Sequence, residues 1–329
     1  MSTRLRLAIS AGDPAGVGPE VAVRALASLP NDAPAALLFG DADDLAARLA
    51  ALGLSHRAEL RDVGRCDPDV VAAHRDHARA GEVALAALDG AIDAVLSGEA
   101  SAVVTAPVSK AAITMAGHAF VGQTEHLARR SELADDDVTM MFLGPRLSVS
   151  LVTTHLSVRD VPEAITAPRV MRATRHLARA LLALDVKHGA SITVSGLNPH
   201  AGERGLFGDE EIRAVAPAIE ALRREPPFLD GRLVLVGPQP AEAAFRQAQS
   251  AVHAGVVAMF HDQATIASKL LDWGSAVNVT WGLPFVRTSV DHGVAFDAAR
   301  TGRVDPEGMI AAVVLAYRFL GGRREGGRA

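Results

Sequence analysis

An α/β fold in two lobes is what this sequence predicts, and three observations carry the expectation. Short β-branched apolar runs alternate with longer Ala- and Leu-rich stretches whose apolar residues recur at helical spacing, the pattern of strands and helices in separate layers. Aromatic residues make up only 4% of the chain, so the core is built from Ala, Leu and Val, which suits helices packed on sheets. With 329 residues, 49% of them hydrophobic, the chain is long enough to bury more than one core.

The strand-forming runs are Leu5 to Ser10, Ala35 to Phe39, Ala102 to Thr105, Val138 to Phe142, Val149 to Thr153, Ser191 to Ser195, Leu233 to Val236 and Val256 to Met259. Helical spacing spans Val17 to Ser28, Ala42 to Leu52, Ala78 to Ser97, Thr166 to Leu184, Asp209 to Arg223 and Pro306 to Phe319. Pro19 with Glu20, and Pro306 with Glu307, put a proline and a carboxylate into a first turn. There the missing N–H costs nothing and the helix dipole favours negative charge. No fixed-period repeat, low-complexity tract or long linker interrupts the pattern. Gly321 to Ala329, rich in Gly and Arg, is expected to fray.

Composition excludes several function classes. A formal net charge of -5 supplies no basic footprint for a nucleic-acid backbone, and the scarcity of aromatic rings leaves no stacking platform for single strands. No apolar run reaches the roughly 18 residues a bilayer span needs, and Met1-Ser2-Thr3-Arg4-Leu5-Arg6 lacks a signal peptide's apolar segment and cleavage site. The expectation is a cytoplasmic protein. Cys66, the one cysteine, has no partner for an intrachain disulfide and no thiol or histidine beside it for a metal or redox motif.

The unusual polar residues gather at predicted strand ends, where open α/β sheets hold their ligands. Ala11 to Glu20, AGDPAGVGPE, is a Gly-rich passage from strand to helix. It brings backbone close to a ligand or closes a structural turn, and it is neither a Walker loop nor a complete dinucleotide fingerprint. Thr105 to Lys110 ends a strand and starts a helix with a hydroxyl and a cation. Gly122 to His126 precedes an amphipathic helix for which Thr124 is the expected N-cap.

Three histidines share one setting: His155, His200 and His261 each follow a predicted strand and begin a loop. In one sheet that common placement brings them to the same edge. Neutral imidazoles suit Zn, Co, Ni and Fe, and three of them leave coordination positions open for a substrate hydroxyl. Their spacing, about 45 and 61 residues, is not a local metal signature, and hydrogen-bonded structural histidines are the competing reading. The other histidines fall in predicted helices or polar loops, apart from His292, which sits in a tight turn after Asp291 and is kept as a neighbour of the site. Within the apolar stretch that follows Ser268, Lys269, Asn278 and Arg287 offer an anion site, the guanidinium gripping phosphate or carboxylate with two parallel bonds; surface salt bridging is the alternative.

Read in order, GDPAGVGPE (12–20), TAPVSK (105–110), GQTE (122–125), TTHL (153–156), GLNPHAGE (196–203), HDQ (261–263) and GLPFVRTSVDHG (282–293) resemble the motifs of the 4-hydroxythreonine-4-phosphate dehydrogenase family of pyridoxal 5'-phosphate biosynthesis. The resemblance runs through most of the chain. It implies a two-domain α/β/α subunit similar to the isocitrate and isopropylmalate dehydrogenases, with residues 1–128 plus 294–329 in the first domain and 129–293, carrying most metal and substrate residues, in the second. It implies a homodimer with its active site at the subunit interface, NAD or NADP as cofactor, and one divalent metal (Zn, Mg or Co) per subunit. The metal ligands carried over are His155, His200 and, from the partner chain, His261. Gln123, Thr124, Lys269, Asn278 and Arg287 bind substrate. Lys269, whose charge burial near cations can tune, and Asp262, which adjoins a ligand and can orient it or relay a proton, are the candidates for catalytic proton work. No residue can be assigned to the nicotinamide pocket.

The implied reaction is oxidation of 4-phosphooxy-L-threonine at C3 to 2-amino-3-oxo-4-phosphooxybutanoate, then decarboxylation to 3-amino-2-oxopropyl phosphate. Two departures widen the substrate question. Gln123 stands where many members have histidine, and it hydrogen-bonds without taking up a proton. Glu242 stands in Pro240-Ala241-Glu242 where they have aspartate. Oxidation of a phosphorylated four-carbon acid sugar, threonate or erythronate 4-phosphate, is the alternative.

Overall fold

A computed structural model describes residues 5–321. Its strands are β1 (Leu7–Ser10), β2 (Ala36–Gly40), β3 (Ala58–Asp62), β4 (Ala102–Thr105), β5 (Thr139–Leu143), β6 (Ser148–Leu151), β7 (Ala190–Ser195), β8 (Leu233–Gln239), β9 (Gly255–Ala258), β10 (Val277–Trp281) and β11 (Val286–Ser289). The chain forms two compact units: one runs to Asp135 and resumes at Leu283, the other is Asp136–Gly282. The border after position 282 places β11 and the turn at His292 in the first unit, where the sequence reading had carried the second domain on to 293. The physical reason is pairing, since β11 lies parallel to β4 along its whole length.

In the first unit the strand order is β3-β2-β1-β4-β11, all parallel. Every residue of β1, β2 and β4 is buried, as continuous apolar runs covered on both faces should be. The helix Ala78–Leu96 lays Ala87, Ala91 and Ala94 against Ala8, Leu37, Phe39 and Val103; small side chains let helix and sheet approach closely. The helix Glu307–Phe319 packs on β4 and β11, which returns the end of the described chain to this unit. From β1 the chain steps outward to β2 and β3, then crosses to β4 on the other side. The order reverses between β1 and β4, so their C-terminal ends open a crevice where such sheets bind ligands.

In the second unit the order is β10-β5-β6-β9-β7-β8. The pairs β10/β5 and β5/β6 are antiparallel, and β6/β9, β9/β7 and β7/β8 are parallel. The helix Ala167–Ala183 buries Val170, Ala173, Leu177 and Leu181. A separate cluster joins Met140, Phe142, Val149, Leu151 and Val256 to Ala244 and Ala264 of the helices Ala241–Gln249 and His261–Leu271.

All eight strands expected from the sequence are present, within a few residues. Three were not anticipated. β3, Ala-Glu-Leu-Arg-Asp, is half exposed and, among the described strands, pairs with β2 alone; its charges, tied to Arg6 and Glu99, guard a sheet edge and hide the alternating pattern. β10 and β11 are short and separated by Gly282 and Pro284, so their pairing is decided by distant partners rather than by local periodicity.

Candidate active site

In the second unit β6, β9 and β7 are parallel neighbours, so their C-terminal ends lie side by side. His155 follows β6, His261 follows β9 and His200 follows β7, and the shared sheet edge expected from the sequence is the one observed. The rings of His155 and His261 have centroids 5.7 Å apart, a separation that suits two imidazoles turned toward one ion. Nδ1 of His261 lies 2.7 Å from Oδ1 of Asp262. A carboxylate only accepts, so Nδ1 carries the proton and Nε2 is left with its lone pair for a ligand. His261 does not begin a loop, as the sequence reading had it. It is the first residue of the helix His261–Leu271, entered from an extended Phe260.

His200 is held differently. Residues 200 to 204 turn left-handed, with φ of 55° at His200, 53° at Ala201, 77° at Gly202, 41° at Glu203 and 58° at Arg204. For each residue other than glycine this conformation costs about 1–2 kcal/mol, so the turn needs outside support. Glu211, 3% exposed, supplies it. Its Oε1 accepts from the backbone N–H of Leu197 (2.7 Å) and Asn198 (2.8 Å), and its Oε2 from Asn198 Nδ2 (2.9 Å). The His200 ring lies 6.1 Å from that of Phe207. Among the described residues no three His, Cys, Asp or Glu side chains stand close enough to share one ion, so a single chain brings His155 and His261 together and does not add His200 to them. The resemblance assigned His261 to the partner chain; within its own chain it already faces His155.

The first unit's crevice holds a second polar group. The loops after β1 and β4 are tied together, Asp13 N–H donating to Pro107 O and Ala106 N–H to Ser10 O, each near 3 Å. Gly12 is required there: its φ is 75° and a Cβ would lie 2.3 Å from Pro107 O. Asp13 is buried, accepts the Ala15 N–H at 2.9 Å, and burial pushes its carboxyl up to about 6. Arg287 on β11 is 2% exposed and donates to Thr105 Oγ1 (2.8 Å) and Gln123 Oε1 (3.0 Å). Gln123 in turn donates to Ala106 O, and Thr105 donates to Ser289 Oγ. Burial lowers the Arg287 guanidinium to about 9, which leaves it a cation at neutral pH. Gly122, not Thr124, is the N-cap of the helix Gln123–Arg130, and Thr124 is its second residue; the extended Gly122 starts the helix two residues earlier than a Thr124 cap would. Ser109 does cap the helix Lys110–Met115, accepting from Ala112 N–H.

The proposed anion group of Lys269, Asn278 and Arg287 is thus divided between the units. Arg287 is joined by Gln123 and Thr105. Asn278 lies on β10 opposite Phe142, and its buried Oδ1 accepts no hydrogen bond among the described residues. Lys269 is exposed on the helix His261–Leu271, its Nζ 5.8 Å from the centre of the Trp273 ring, so the burial invoked to tune its charge is absent from the single chain. Thr105 stands out in the sequence only as a strand end before a helix, not as a partner of Arg287, and Glu211 does not stand out at all. An acidic residue near a helix start is ordinary there, and nothing local reveals that the carboxylate turns inward.

Two α/β units with polar groups gathered at their strand ends place this chain in the class of α/β proteins whose fold is like that of isocitrate dehydrogenase. Isocitrate dehydrogenase from Methylococcus capsulatus superposes with a TM-score of 0.54, over 96% of this chain and 86% of its own, at 13% identity, a likeness of fold alone. The chain belongs to the family described as pyridoxal phosphate biosynthetic protein PdxA, whose model matches residues 33–316, and is an oxidoreductase of that family. It is 43% identical to 4-hydroxythreonine-4-phosphate dehydrogenase of Chromobacterium violaceum, covering 98% of this chain and all of the relative. It is 35% identical to D-threonate 4-phosphate dehydrogenase of Pectobacterium atrosepticum, covering 95% and 98%. The crystal structure of 4-hydroxythreonine-4-phosphate dehydrogenase from Klebsiella pneumoniae matches with a TM-score of 0.76 at 37% identity, over 95% and 99% of the two chains.

Proposed function

We propose that this enzyme oxidises 4-phosphooxy-L-threonine at C3, with NAD or NADP, to 2-amino-3-oxo-4-phosphooxybutanoate, which loses carbon dioxide to give 3-amino-2-oxopropyl phosphate. The observation that carries the reading is the sheet edge at which three parallel strands end in histidines, two of them ring to ring at 5.7 Å. His155, His200 and His261 are the residues that would hold one divalent ion, Zn, Mg or Co, per subunit, and the anchored His261 ring fits that role. A bound ion supplies Lewis-acid stabilisation where negative charge develops on the substrate oxygen, and the nicotinamide supplies the hydride acceptor. Asp262 keeps the His261 tautomer and ring orientation. Arg287 offers a pre-placed cation to phosphate or carboxylate, with Gln123 and Thr105 fixing its plane. Gln123, Thr124 and Asn278 contribute hydrogen bonds to the substrate, and Lys269 an exposed ammonium for charge neutralisation or proton transfer.

The working form is a homodimer whose partner completes the site. The support is an apolar stripe on the helix that begins at His261: Ile266, Leu270 and, just past its end, Trp273 are all exposed, Trp273 at 80%. Exposed apolar stripes of this kind mark protein contacts. None of the described helices is long and apolar enough to cross a membrane, and a biosynthetic role fits action in the cytoplasm.

A second substrate reading, a phosphorylated threonate or erythronate, is favoured by the Pectobacterium relative and by Gln123, which binds substrate without exchanging a proton. The test is kcat/KM for 4-phosphooxy-L-threonine and for the two phosphorylated acid sugars, each with NAD and NADP and with added Zn, Mg or Co. A preference for the amino acid of at least tenfold is expected. Equal or reversed preference transfers the assignment to the acid sugar, and loss of metal dependence in the wild type refutes the metal reading.

A further inference from the structure

We propose that Glu211 is the positioning residue of the His200 turn, its buried carboxylate holding the backbone in the left-handed conformation that presents the imidazole. The inference rests on the reading of His200 as a metal ligand. Four of the five left-handed residues, His200, Ala201, Glu203 and Arg204, are not glycine, so the turn does not persist on its own preference. Its main support comes from a buried side chain at the start of the next helical segment. Glu211 opens a wide π-helical turn, Glu211–Val215, and its carboxylate gathers the two backbone N–H groups and the amide of Leu197 and Asn198 that lead into the turn. Among the described residues it makes no ion pair, so its charge is met by these donors.

Both glycines of the segment 196–203 are shaped around the same carboxylate. A Cβ on Gly196 would lie 2.9 Å from Glu211 Oε1, and a Cβ on Gly202 2.7 Å from Oε2. Glu210 adds a second clasp, its Oε2 accepting from Asn198 Nδ2 at 2.6 Å. The chemistry calls for a carboxylate and not an amide. Three donors converge on two oxygens, and a glutamine would turn an NH2 group against either the Asn198 amide or the backbone N–H pair.

Co²⁺ uptake by the full-length protein tests this, followed by the visible absorption of the bound ion and by calorimetry. Hydrogen exchange over 196–208 is measured beside it in the metal-free protein. Wild type is expected to bind Co²⁺, and His200→Ala to bind it at least tenfold more weakly with exchange in 196–208 unchanged. Glu211→Gln is expected to lose at least tenfold in affinity, to alter the Co²⁺ spectrum, and to speed exchange in 196–208 while the strands β5 to β9 stay protected. Should Glu211→Gln not fold, Gly202→Ala, which drives a methyl group into the carboxylate, carries the same expectation. Wild-type affinity and spectrum in either variant overturn the proposal and leave the metal reading standing. A wild type that takes up no Co²⁺ overturns both.

Discussion

At the scale of single residues, the buried histidine His176 links pH to stability. Its ring is enclosed in the second unit with Nδ1 2.9 Å from Thr139 Oγ1, and burial, reinforced by Arg179, Arg172 and Arg175, lowers it from 6.5 to about 4. It is neutral in the folded protein at a pH where the unfolded chain already binds a proton. The stability it contributes is whole above about 6.5 and is lost as pH falls toward about 4, up to roughly 3 kcal/mol. Thermal melts from pH 7 to pH 4 should show that loss in the wild type and a shallower one in His176→Gln; parallel curves would exclude His176 as the source. Several candidate residues stand out in the sequence, because the three histidines each follow a predicted strand and Asn278 and Arg287 interrupt an otherwise apolar stretch. Their partners do not: Arg287 meets Thr105, 182 positions away, and no local pattern encodes such a contact.

At the scale of elements, the loops after β1 and β4 show what a glycine contributes to the crevice. Gly12→Ala combines a left-handed backbone with a Cβ pressed on Pro107 O. Gly53→Ala has the same sign of φ, 69°, with nothing within 4 Å of the added carbon. Urea unfolding should find Gly12→Ala costing roughly 3 kcal/mol and Gly53→Ala about 1 kcal/mol. Equal costs would show that the contact with Pro107 relaxes freely. The Gly-rich segment was legible as a turn, and which of its glycines is sterically required was not, because the obstructing carbonyl, of Pro107, comes from the loop after β4. The same holds for His261, whose helix starts where the sequence suggested a loop. The residues of its buried face, Ala264 and Leu271, pack with Phe142, Val149 and Val256 on strands that only the folded sheet brings near.

At the scale of the whole molecule, the proposed completion of the site by a second copy would make metal, dimer and activity interdependent. Mixing inactive His200→Ala subunits with inactive His261→Ala subunits should restore up to about a quarter of wild-type activity, because half the dimers would be mixed and each would hold one intact site. No recovery on mixing would mean that His261 serves its own chain, where it already faces His155. By itself the sequence determined the α/β class, the order of the main strands and helices, the family, and the three strand-end histidines, because periodicity, turn chemistry and motif order are local properties of the chain. Tertiary structure alone decided that β6, β9 and β7 are neighbours, that β11 joins β4 in the first unit, that Arg287 is buried against Gln123, and that a carboxylate from the following helix holds the His200 turn. Each of these depends on contacts between residues far apart in sequence, which are selected by burial and hydrogen-bond satisfaction over the folded unit and leave no signature in any short window.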